Sequence, residues 1–137
     1  MVPAVGESAR RWAGVNGSAA GLRALRSDVR DHLADSGVDG PLGGDVLVVL
    51  SELVRNGLAA SGDRELGCSV EVTATVVAVE VTNTWPHPAA VPDFGTGVRP
   101  PGDPDAGFGL PLVSVLAVRL SVDAAYGVTV VRAELLR

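Results

Sequence analysis

The stretch CSVEVTATVVAVEVTNT, residues 68–84, decides the fold class. Val70 and Val72 alternate with Glu71 and Thr73, and Val77, Val79 and Val81 alternate with Ala78, Glu80 and Thr82. A period of two means that one face of each run is apolar and the other polar, the signature of half-buried strands. The two runs lie close together in sequence, so they predict an antiparallel pair with Val on the core side.

Upstream the period changes. SAAGLRALRSDVRDHLADSG, residues 18–37, places Leu22, Leu25, Val29 and Leu33 on one stripe. Ser18 can cap this helix and Gly37 can end it, while His32 falls on its polar side. GPLGGD, residues 40–45, reads as a loop. Asp45 then caps a second helix that runs to Ala60 and stops at Gly62. Residues 1–16 read as a flexible end or a short strand.

Downstream, residues 85–106 carry prolines at 86, 88, 92, 100, 101 and 104. A connection of this length is of lid or binding-loop size. GFGLPLVSVLAVRL (107–120) reads as a short helix opened by glycines. A strand LSVDAA (120–125), a tight turn at Tyr126 and Gly127, and a last strand VTVVRAEL (128–135) follow. Helices grouped against antiparallel strands predict an α+β two-layer sandwich, with the helices on one face of a mixed, mostly antiparallel sheet.

The chain has 137 residues, 47% hydrophobic and only 4% aromatic, so a single domain must build its core from Val, Leu and Ala. Net charge is −5, every basic residue is arginine, and no basic run occurs, which argues against direct nucleic-acid binding. One cysteine, Cys68, excludes an internal disulfide and a multi-cysteine zinc site. With no signal-like or membrane-spanning apolar run, the expectation is a cytoplasmic protein without a membrane role.

Four places carry candidate chemistry. In LSELVRNGLAAS, residues 50–61, Glu52 and Asn56 stand one helical turn apart. A carboxylate there can orient a water or take a proton, and an amide oxygen suits Mg²⁺; the plainer alternative is a solvated polar face. Gly107 and Gly109 open a helix, where bare N–H groups suit a phosphate or where glycines serve as a joint. Asn83, at a strand end, can meet a ligand edge or close a local turn. Thr129 opens the last strand as a binding group or as an ordinary strand residue. A metal or catalytic histidine is not indicated, and without lysine a P-loop is excluded.

In their order, LSELVRNGLAAS, VEVTNTWP, GFGLPLV and GVTVVRAEL resemble the N box, first glycine box, second glycine box and last-strand motif of the Bergerat-type (histidine-kinase-like) ATP-binding fold. The likeness is strongest to anti-sigma-factor serine kinases and to stand-alone actinobacterial ATP-binding regulatory domains, and it spans residues 20–136. It implies one domain over residues 17–137, with residues 84–106 as the ATP lid. Glu52 would be the general base and Asn56 the Mg²⁺ ligand. Asn83 would accept from adenine, Gly107, Phe108, Gly109 and Leu110 would cradle phosphates, and Thr129 would lie near the adenine.

It also implies ATP and Mg²⁺ as cofactors, with serine/threonine-kinase activity as an open possibility. The partner would be a sigma factor or an antagonist-like regulator, in transcription control, and a homodimer is permitted. The pattern departs from the family at Asn83, where an aspartate is usual, and at Trp85 and His87, which replace glycines. It departs again at Ala59 and Ala60, which replace a basic residue and a histidine, and at Phe108, which replaces an arginine. These departures support a second expectation: a non-catalytic interaction module with a degenerate nucleotide site that sequesters a partner. If Asn83 reads adenine, an aspartate there should favour ATP over GTP.

Overall fold

The structure, a computed structural model, describes residues 8–61, 66–84, 109–125 and 128–137, with the backbone alone at 59–61, 84, 109–111 and 124–125. The chain runs β1 (Ser8–Val15), α1 (Ala19–Asp35), α2 (Gly40–Ser61), β2 (Leu66–Val72), β3 (Val76–Thr84), α3 (Gly109–Leu116), β4 (Arg119–Ala125) and β5 (Val128–Leu136). The α+β class is as expected.

The five strands form one sheet in the order β1-β2-β3-β5-β4. Every pairing among the described strands is antiparallel, so the expected mixed sheet is corrected. For β2 and β3 the basis is their short link, where Thr73 N donates to Val76 O (2.9 Å) and Thr73 Oγ1 accepts from Val76 N (3.1 Å). The register pairs Val70 with Val79 and Val72 with Val77, which puts the alternating valines of both strands on one face. Those residues are fully buried, whereas Ser69, Glu71, Glu80 and Thr82 on the opposite face are half-buried.

Helix α1 starts where the sequence indicates, with the Ser18 side chain accepting from Gly21 N at 2.9 Å. It ends in a Schellman arrangement: Val38 N donates to Leu33 O (2.7 Å) and Gly37 N to Ala34 O (3.0 Å). Gly37 has φ of +78°, the left-handed backbone that favours glycine at this position. Two details differ from expectation. His32 is buried, not on a polar face, because the inward arc is wide enough to take it beside Leu25, Val29 and Leu33. Helix α2 begins at Gly40, so GPLGGD forms its first turns and not a loop. Pro41 is tolerated because first-turn N–H groups have no helical partner. The N-terminal segment is a strand from Ser8, antiparallel to β2.

The core lies between the sheet's inner face and the helices. Leu25, Val29 and Leu33 of α1 meet Val46, Val49, Leu50, Leu53 and Val54 of α2 and the inner valines of the strands. Among the described residues, no helix is long and apolar enough to cross a membrane.

Candidate functional site

The inner end of the β3–β5 ladder breaks the apolar pattern. Asn83 pairs directly with Thr129, so both side chains leave the sheet on the same face, toward the helices. Asn83 is 2% exposed and Thr129 is fully buried. Neither Asn83 Oδ1 nor Thr129 Oγ1 has a hydrogen-bond partner among the described residues. A buried polar atom left unpaired costs about 1–3 kcal/mol, so two facing groups in this state call for an explanation.

Helix α2 closes over this end. Asn83 Nδ2 donates to the Gly57 carbonyl at 3.2 Å. One residue earlier, Asn56 is half-buried, and its Nδ2 is buried without a partner among the described residues. Thus three unpaired polar atoms belong to the C-terminal half of α2 and the strand ends it covers. The helix column Asp45, Val48, Glu52 and Asn56 is half-buried throughout, flanking the core face. Glu52 therefore sits at the border of the solvated face, its side chain 15% exposed.

Glu52 Oε1 accepts from Arg55 Nη1 at 3.2 Å. Arg55 is well exposed, one turn along the same helix, and supplies a cation beside the column. Gly107 and Phe108 lie outside the described residues, as do Trp85, His87 and most of the expected lid. Gly109 and Leu110 open α3, which packs beside α2.

Thus the structure brings Asn83 to Thr129 and sets Gly57, next to Asn56, over them. Sequence reasoning missed Gly57 and Arg55. A glycine deep in a helix costs about 1 kcal/mol against alanine, and that cost is a signal of close approach. Arg55 was readable as the i+3 neighbour of Glu52.

A second polar pair lies between β1 and α1. Trp12 and His32 meet edge to face with ring centroids 6.2 Å apart, and the Arg10 guanidinium sits 5.3 Å from the Trp12 ring centroid. Burial holds His32 below the usual histidine range and Arg10 adds to this, while the Val70 backbone and Asp35 oppose it. Burial also pushes the Cys68 thiol up to about 12, so it is inert. No family model matches the chain, and no curated protein matches it.

Proposed function

We propose that this chain is a regulatory domain of the Bergerat, histidine-kinase-like type. It takes Mg-ATP between the C-terminal half of α2 and the inner ends of β3 and β5, and it acts on a protein partner in transcription control. The observation that carries this reading is the buried pair Asn83 Oδ1 and Thr129 Oγ1, unpaired among the described residues, with Asn56 on the helix above. A purine edge would satisfy the strand-end atoms. The antiparallel sheet backed by helices on one face is compatible with that fold.

The side chains are of the types the cofactors need. Asn56 carries a neutral amide whose oxygen suits Mg²⁺, in a half-buried column with Glu52. Since its buried unpaired atom is Nδ2, metal binding requires the amide to turn its oxygen to the site. Bound Mg²⁺ would neutralise phosphate charge. Asn83 and Thr129 would hold the base, and the opening of α3 at Gly109 would offer backbone N–H groups to the phosphates. The partner is a sigma factor or an antagonist-like regulator, and the setting is the cytoplasm.

A second reading, a binding module without phosphoryl transfer, is favoured by one contact. Glu52 Oε1 already accepts from Arg55 Nη1, so that oxygen is occupied rather than free to face a serine hydroxyl.

Calorimetric titration with Mg-ATP, run beside Asn56→Ala, tests both. Binding that weakens about tenfold or more in Asn56→Ala is expected, from loss of one metal ligand. No heat at millimolar nucleotide would sink the nucleotide reading. Phosphate transfer to a serine of a co-encoded partner, lost in Glu52→Gln, would restore the kinase and exclude the module.

A further inference from the structure

Asparagine can face a neighbour with either end of its amide. Here the neighbour decides. The Gly57 carbonyl can only accept, so the Asn83 nitrogen must point at it, as the 3.2 Å contact shows. Oδ1 is then left as an acceptor with no donor among the described residues. The fit also depends on glycine. A Cβ at position 57 would lie 2.8 Å from Asn83 Oδ1, 2.9 Å from Nδ2 and 3.2 Å from Cγ, so any side chain there would displace the amide.

We propose that Gly57 is the positioning residue of this site: its bare Cα admits the Asn83 amide, and its carbonyl locks that amide as a fixed, uncharged acceptor. A fixed acceptor beside the Thr129 hydroxyl reads a base edge that carries an amino group next to a ring nitrogen. The amino group donates to Oδ1 and the ring nitrogen accepts from Thr129. A 6-oxo purine sets a carbonyl against Oδ1 and leaves both unpaired. An aspartate at 83 keeps an acceptor for the amino group but loses the Nδ2 donor that ties residue 83 to the Gly57 carbonyl.

The part concerning base choice rests on the nucleotide reading; the lock itself does not, and its first test needs no ligand. In ¹⁵N-labelled protein, the Asn83 side-chain amide should exchange with solvent far more slowly than the exposed amide of Asn16, and this protection should vanish in Gly57→Ala. Fast exchange of Asn83 in the parent protein overturns the lock, whatever binds. The second test compares ATP with inosine triphosphate by calorimetry. The parent should prefer ATP at least about tenfold, from one unpaired buried group. The preference should fall toward unity in Gly57→Ala and, as a variant that removes the acceptor and leaves the helix untouched, in Asn83→Leu. An undiminished preference in a folded variant of either kind overturns the positioning role. Absence of any nucleotide binding by the parent refutes the proposed function instead, and the exchange measurement still judges the lock.

Discussion

The two ends of the β3–β5 ladder are built alike and filled differently. Along the inner face the pairs run Val77 with Leu135, Val79 with Ala133, Val81 with Val131, and last Asn83 with Thr129. All eight residues are at most 4% exposed. Three pairs are apolar and gain from burial, whereas the fourth buries an amide oxygen and a hydroxyl that have no partners among the described residues. Equal burial with unequal chemistry sets an end that gains from packing beside an end that does not, an imbalance common where a site must stay receptive.

The largest effect should come from the apolar end. Leu135→Ala empties a fully packed position and should cost about 2–5 kcal/mol in chemical denaturation. A loss under about 1 kcal/mol would mean that this end does not anchor the sheet, and the contrast would collapse.

The polar end should answer in the opposite way. Thr129→Val keeps the shape and removes a hydroxyl that is unpaired among the described residues. Stability should hold within about 1 kcal/mol or rise, while ATP affinity falls about tenfold. A large loss of stability would show that Thr129 is structural, and the ladder would then have no functional end.

Much of this was legible beforehand because periodicity reports burial. The alternation in residues 68–84 fixed both strands and their inward valines, and Ser18 and Gly37 marked the two ends of α1. Local rules failed where tertiary packing outweighed them. GPLGGD carries loop residues, yet it forms the start of a long helix whose apolar arc, beginning at Leu42, packs on the core. Polarity alone puts His32 outward, but it lies at an inward position of α1 beside Leu25, Val29 and Leu33. At the site, spacing alone placed Glu52 with Asn56, and Asn83 at a strand end. No local pattern could place Asn83 opposite Thr129, 46 positions away in the sequence, because that pairing depends on β3–β5 register. The contact of Gly57 with Asn83 was hidden for the same reason: the partner comes from a strand 26 positions away.

The smallest effect should come from the outer face of the same ladder. Arg132 lies between the inward Val131 and Ala133 and points away from the helices. It reaches Glu134 (3.2 Å), Glu71 (3.5 Å) and Glu80 (3.6 Å). Burial works to lower its pKa, but the Glu134 hydrogen bond and the charges of Glu80, Glu71 and Glu134 raise it on balance. One cation facing three carboxylates looks stronger than it is, because the groups are a quarter to nearly half exposed and water screens them. Arg132→Ala should therefore cost under about 1 kcal/mol, and the loss should shrink in high salt. Leu135→Ala should show no comparable salt dependence. An Arg132→Ala loss as large as that of Leu135→Ala, persisting in molar salt, would mean that this face is organised by its charges. The division of the ladder into an anchoring inner end, a receptive inner end and a solvated outer face would then be wrong.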